Sequence, residues 1–169
     1  YDVPLRELEY ATYDFDLILD QGAYFELKRH RMMTQTAQRL STRLGYAIPK
    51  AVSDAGFEQP YRQVMDLAAK AYEELATWNP AVAAYVVPNA FNRRVLCRLN
   101  MRELFHLARL RCSPNAHFSM QRAARAMAES MQSVHPNFWA KMNLSEEETS
   151  QSITAKYFSE VAAIPLIYQ

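Results

Sequence analysis

The stretch Val86–Met120, "VVPNAFNRRVLCRLNMRELFHLARLRCSPNAHFSM", decides the fold. Pro88 and Asn89 punctuate its start, and Val95 to Leu99 make a short β-compatible core. Asn100 is followed three residues later by Glu103, an N-cap with an acidic residue at N3, which is the capping-box arrangement. A helix is therefore expected to begin at Asn100 and to run through "MRELFHLARLR". Ser113 and Pro114 close that helix and offer a cap and an N1 proline to the next one. In that next helix Met120, Ala123, Ala124, Met127, Met131 and Val134 recur at helical spacing, which reads as a packing stripe.

Upstream, residues 12–19, "TYDFDLIL", alternate apolar and polar residues before turning continuously apolar, the period-two signature of a strand. Asp20, Gln21 and Gly22 break it. From Ala23, "AYFELKRHR" reads as a short helix that leads into a basic cluster, Lys28, Arg29 and Arg31 around His30, and "MMTQTAQRLS" has enough helix formers to continue it. Gly45 and Pro49 end the region. Between Pro60 and Trp78, Val64, Leu67, Ala68, Ala71, Leu75 and Trp78 recur every three or four residues, so an amphipathic helix is expected there, stopped by Asn79 and Pro80. "AVAAYVVP" is either a last helical turn or a buried connector. Downstream, Ser145 and Glu148 give a second capping box, opening a helix that runs to about Ala162 before Pro165.

A chain of 169 residues, half of them hydrophobic, has enough apolar material for one packed core. Its net charge of +1 offers little long-range attraction to nucleic acid or anionic lipid, so any electrostatic function is local. Arginine outnumbers lysine 14 to 5, and eight of the arginines lie between Arg93 and Arg125. The planar guanidinium suits bidentate recognition of phosphate or carboxylate, although a surface arginine with a buried stem needs no ligand. Cys97 and Cys112 sit in apolar runs without metal-ligand spacing and are expected to be reduced and buried, in a cytoplasmic protein. No apolar run approaches the roughly 18 residues of a membrane span, and no signal-peptide pattern opens the chain. The first residue is Tyr1, so a piece of something longer is the expectation.

On a regular helix Arg102, His106 and Arg109 share one face, opposite Leu104, Leu107 and Ala108. That face lines either a site or plain solvent. Arg111, near the helix end, also suits the helix dipole. There is no GxSxG motif and no Walker-type loop, the chain has three glycines in all, and its four histidines are scattered. A phosphate site here has to be built from arginines and helix N-termini.

Arg29-His30-Arg31, preceded by a strand and the short "AYFEL" segment, resembles the RHR signature of the flavin-dependent thymidylate synthases. The Val86–Met120 block resembles the same family's proline-led segment, with its strand, its N-A-R-E-L helix start, its L-R ending and the A-Q-W-E-I helix that follows. Asn100, Arg102, Glu103, Leu104, Leu110, Arg111 and Ala116 fall in register without a gap, and the likeness covers about residues 12–140. It implies an α+β fold, a small mixed or antiparallel sheet packed with several helices, in one domain over 1–169 with residues 141–169 as a C-terminal helical extension.

In that family a homo-tetramer binds FAD between subunits, and the flavin, reduced by NADPH, works with methylenetetrahydrofolate to turn dUMP into dTMP. By position, the resemblance implies cofactor contacts for Arg29, His30, Arg31, Asn100, Arg102 and His106. It implies dUMP contacts for Ser41, Arg43 and Arg111, with Arg111 holding the pyrimidine and acting in catalysis. No side-chain nucleophile is then required, because the flavin carries the redox chemistry. His106 replaces a usual asparagine and Glu26 a usual glutamine. Arg39 stands at the expected serine, with Ser41 and Arg43 two residues late, about 200° round a helix. Ala84 replaces an arginine that meets the dUMP phosphate. These departures leave a second expectation beside the synthase: a catalytically degenerate member, such as one half of a tandem-domain protein, with an assembly role. A nucleic-acid-binding helical domain built on the Arg93–Arg125 cluster is disfavoured by the near-zero net charge.

Overall fold

The computed structural model describes residues 3–163 and 167–168. After a 3-10 turn at Arg6–Tyr10 come β1 (Thr12–Asp20), α1 (Gln21–Leu27), β2 (Thr34–Ala37), β3 (Ile48–Pro49), α2 (Lys50–Asp54), α3 (Glu58–Trp78) and α4 (Pro80–Ala83). Then follow β4 (Asn92–Asn100), α5 (Met101–Arg111), α6 (Phe118–Glu129), α7 (Met131–Val134), α8 (Pro136–Met142), α9 (Ser150–Tyr157), β5 (Phe158–Glu160) and β6 (Ile167–Tyr168). The fold is α+β with small antiparallel sheets, as expected.

Alternation along β1 does the organising. Tyr13, Phe15, Leu17 and Leu19 are buried, and with Val95, Cys97 and Leu99 of β4 they face Leu104, Leu107 and Ala108 of α5 and Met120, Ala124 and Met127 of α6 in one core. β1 and β4 pair antiparallel over their whole length, from Thr12 opposite Asn100 to Asp20 opposite Asn92, within a sheet ordered β2-β4-β1-β6. On the opposite face Asp14 accepts from Arg98 at 2.7 Å and Asp16 from Arg94 at 2.8 Å. These guanidinium groups hold both carboxyls below the ordinary aspartate range.

Several expectations need correction. The helix expected to continue through "MMTQTAQRLS" ends at Leu27, and Thr34–Ala37 is a strand paired with β4. Thr34 and Thr36 are β-branched and alternate with Gln35, whose amide donates to the carbonyls of Leu27 and His30 at 3.1 and 3.2 Å and so satisfies the end of α1. Next, α6 begins at Phe118, capped by the His117 imidazole, which accepts from the Ser119 N–H at 3.3 Å; Ser113 instead donates to the Leu110 carbonyl. The second capping box is built by Thr149 and Ser152 rather than Ser145 and Glu148, and its helix stops at Tyr157, before a short strand that pairs with β3. Pro165, the expected stop, lies outside the described residues.

Helix α3 exists where expected but turns differently. Met65 and Tyr72 are buried against Ala83, Val87 and Phe91, whereas Val64, Leu67 and Trp78 are 61%, 67% and 74% exposed. "AVAAYVVP" is one turn of α4 followed by a 3-10 turn. Cys97 is fully buried, Cys112 only partly, and burial pushes both thiols up to about 12. Among the described residues no helix is long and apolar enough to cross a membrane.

Candidate functional site

The last residue of β4 caps the helix that follows: the Asn100 side-chain oxygen accepts the Glu103 N–H at 2.9 Å, as the Asn-x-x-Glu spacing requires. The other half of the expected box is different. Glu103 turns its buried carboxylate to His30, with Nδ1 and Oε1 3.0 Å apart. At the far end of α5, Arg111 donates through Nε to His30 Nε2 at 3.0 Å, through Nη1 to Glu26 Oε2 at 2.7 Å, and through Nη2 to the Glu26 carbonyl at 3.4 Å. A guanidinium only donates, so His30 Nε2 must accept, and Nδ1 then carries the proton given to Glu103. His30 is thus a fixed strut between the first and last turns of α5. Its ring also meets that of His106 edge-on, the centroids 5.9 Å apart.

Along one side of α5, from its cap to its last turn, opens a cavity of about 700 Å³ walled by Glu9, Arg31, Asn100, Arg102, Glu103, His106 and Arg109, with Val3, Pro4, Met32 and Leu110 as apolar lining. Its volume lies within the roughly 300–1,000 Å³ of small-molecule and cofactor sites. The Arg102–His106–Arg109 face read from the helix period lines this cavity. Arg102 is occupied from within: it donates to the Glu9 carboxylate at 2.7 Å and to the Pro4 carbonyl at 3.2 Å, clasping the N-terminal segment to the cavity wall. Arg102 and then Arg6 hold the Glu9 carboxyl below its ordinary range.

Of the residues that the resemblance assigns to the cofactor, Arg31, Asn100, Arg102 and His106 gather on this cavity. His30 is buried behind it, and the exposed Arg29 is outside its lining. Of those assigned to dUMP, Arg111 is locked to Glu26 and His30. Ser41 and Arg43 lie on the loop after β2, where the Ser41 hydroxyl accepts the Arg43 N–H at 3.5 Å and the Arg43 guanidinium stands 3.8 Å from Glu73 of α3. Because β2 is a strand, the 200° helical offset does not apply to this pair.

Tertiary structure also sorts the eight clustered arginines. Arg94 and Arg98 hold aspartates across the sheet. Arg93 lies over the Tyr24 ring and donates to Gln21 at 3.0 Å. Arg122 is buried on Thr154 and the Ala162 carbonyl, and burial brings it down to about 10. Arg125, almost fully buried, holds Glu129 at 3.2 Å and the Ser145 carbonyl. With Arg102 and Arg111 engaged as described, Arg109 remains as the member with no ion-pair or hydrogen-bond partner among the described residues. Periodicity puts Arg109 on one face with Arg102 and His106, but its difference from the other seven is invisible in sequence.

An antiparallel α+β domain that opens a basic cavity where a strand passes directly into a buried helix is the class of protein defined so far. The chain belongs to the thymidylate synthase complementing protein family, whose model matches residues 5–137. It is 43% identical over 133 residues to a UPF0159 protein of Chlamydia muridarum, which covers 79% of this chain and 25% of that protein. A UPF0159 protein of Thermoplasma acidophilum is 28% identical over 137 residues, 78% of this chain and 27% of the other. A flavin-dependent thymidylate synthase of Geobacter sulfurreducens is 31% identical over 142 residues, 78% of this chain and 61% of the synthase. The chain thus spans about a quarter of the length of the UPF0159 proteins it resembles.

Proposed function

We propose that the chain is a flavin-dependent thymidylate synthase-like domain whose cavity takes FAD, and that it serves the reductive methylation of dUMP to dTMP with methylenetetrahydrofolate. The observation that carries this reading is the convergence of Arg31, Asn100, Arg102 and His106, two segments about 70 residues apart in sequence, on one cavity with both cationic and apolar walls. The donor set suits the cofactor: guanidinium groups for phosphates, an amide and an imidazole for ring heteroatoms, and Val3, Pro4, Met32 and Leu110 for a flat ring system. When bound, the flavin supplies reducing equivalents drawn from NADPH. The protein's part is to bind and orient. Asn100 stays fixed because its oxygen is committed to the α5 cap, and the His30 strut holds the loop that carries Arg31.

A second reading rests on the other end of α5. Glu26 holds the arginine that the family resemblance assigns to the pyrimidine, and Arg43 faces Glu73, which favours a catalytically degenerate half of a longer protein whose dUMP contacts come from elsewhere. The exposed Val64, Leu67 and Trp78 ridge of α3 supports assembly, either as the homo-oligomer or with another domain. The partly and fully buried thiols suit a reducing, cytoplasmic setting.

The test is reconstitution with FAD, followed by tritium release from dUMP labelled at the pyrimidine C5, with sedimentation alongside. Flavin absorbance with tritium release is the expected result. Flavin binding without release supports the second reading, and a protein that cannot be loaded with FAD overturns both uses of the cavity.

A further inference from the structure

Helix α3 turns one apolar stripe to the core and leaves another outside. Met65 and Tyr72 pack with Ala83, Val87 and Phe91, while Phe57 at the cap, Val64, Leu67 and Trp78 stand 63%, 61%, 67% and 74% exposed. Phe57, Val64, Ala71 and Trp78 follow one another at seven-residue intervals, with Leu67 between Val64 and Ala71, which is the period of a helix–helix seam. The stripe runs the length of a 21-residue helix, about 31 Å. Four large apolar side chains in one line go beyond the singly scattered apolar residues of an ordinary surface. We propose that a second copy of this chain covers the stripe, its α3 laid antiparallel across a two-fold axis at Leu67. The inference rests on the surface of α3 and not on the flavin reading; of the two assemblies named above it selects the homo-oligomer and gives its register.

Self-complementarity selects the copy as the occupant. The stripe reads nearly the same from either end, an aromatic at each extreme and aliphatic residues between. An axis between Leu67 and Ala68 sets Phe57 on Trp78 of the second copy, Val64 on Ala71 of the second copy, and the two Leu67 side chains on each other, as an isologous contact requires. Charge then selects the direction. Asp66 and Lys70 are exposed beside the stripe, four residues apart and so on one flank of the helix, and among the described residues neither has an ion-pair partner. The same axis brings Asp66 level with Lys70 of the second copy to within one residue's rise, about 1.5 Å, and symmetry makes the pair twice. Parallel helices would instead set Asp66 against Asp66 and Lys70 against Lys70. A helix face about 31 Å long and about 10 Å wide is roughly 300 Å² per copy. That is small beside the roughly 800 Å² per partner of a standard interface, so the pairing is reversible, with a Kd expected in the micromolar range.

Sedimentation equilibrium of the full chain over a range of concentrations tests the seam, with Leu67→Lys, Asp66→Lys, Lys70→Asp and the swapped double variant Asp66→Lys/Lys70→Asp. The three positions are exposed, so each variant should melt at the wild-type Tm. Leu67→Lys puts two like charges on the axis and should weaken association at least about tenfold. Each single reversal should weaken it about three- to tenfold, and the double variant, which restores opposite charges, should return to within about threefold of wild type. Mild oxidation reads the direction: Leu67→Cys should form a covalent dimer, and Trp78→Cys should cross-link to Phe57→Cys but not to itself. The native Cys97 is buried and Cys112 partly so, which keeps the background low. A wild type that stays monomeric up to about 1 mM, a Leu67→Lys variant that associates like wild type, or a double variant as weak as the single ones overturns the pairing. Trp78→Cys joined to itself overturns it too. A protein that associates through this seam and takes up no flavin upholds the pairing while rejecting the flavin reading.

Discussion

The last turn of α5 carries two arginines, two residues apart, in opposite conditions. Arg109 lines an open cavity together with the Asn100 cap; Arg111 is closed off by His30 and by both the carboxylate and the carbonyl of Glu26. An arginine's availability is thus set by which carboxylates the fold brings within reach, not by its place in a motif. Glu103, on the first turn, is joined to Arg111, on the last, through His30.

The largest effect on this comparison comes from cutting the strut. Glu103→Ala leaves the His30 Nδ1–H buried without its acceptor and removes an acid from the first turn of α5, a loss of about 2–4 kcal/mol. In thermal melts this is a fall in Tm on the order of 5–15 °C. Glu103→Gln restores an acceptor and should recover most of it; an equal fall for both variants would mean that the His30 contact contributes nothing.

Opening the closed end comes next. Glu26→Gln removes the carboxylate from Arg111 while keeping a hydrogen-bond acceptor, so the domain should lose only about 1 kcal/mol, and dUMP affinity should rise about tenfold. Unchanged dUMP binding by equilibrium dialysis would show that Arg111 is a structural arginine only.

A smaller effect concerns pH. Asp14 and Asp16 have folded-state pKa values below their ordinary ones, so in acid the unfolded chain binds more protons than the folded one, and stability rises with pH. That contribution is complete above about pH 5 and disappears as pH falls through the ordinary aspartate range toward the folded values. Urea midpoints at pH 7 and pH 3 should differ less for Arg98→Gln than for wild type.

The mildest test reads the end of α5 by chemistry. Cys112 caps that end, and burial holds its thiol and that of Cys97 up to about 12, so a disulfide reagent at pH 8 should label neither until the chain unfolds. Prompt labelling of Cys112 in the folded protein would show that the closed end breathes.

Strand β1, helix α3 and the Asn100 start of α5 were legible in the sequence because each rests on local signals, alternation, helical period and a cap. What escaped was decided by distant partners. Thr34–Ala37 carries helix formers and β-branched residues together, and the unpaired edge of β4 resolved the choice toward strand. On α3 the small residues Ala68, Ala69, Ala71 and Ala76 make two apolar stripes plausible, and the pocket formed by Ala83, Val87 and Phe91 selected the one with Met65 and Tyr72. The cavity wall was legible as a helix face, but the partners that separate Arg109 from Arg102 and Arg111 come from residues up to about 90 positions away and leave no local trace.

Asn100 ends β4, caps α5 and lines the cavity, and its strand partner is Thr12. The chain must therefore close a loop of about 90 residues before the cavity exists, which makes the site a late product of folding. A slip of one residue in the β1–β4 register would move the cap off Asn100 and turn the inward row of β4 to solvent. A cavity ligand accordingly recognises only chains that have finished folding in the right register, stabilises them by mass action, and acts as a quality reporter for the domain.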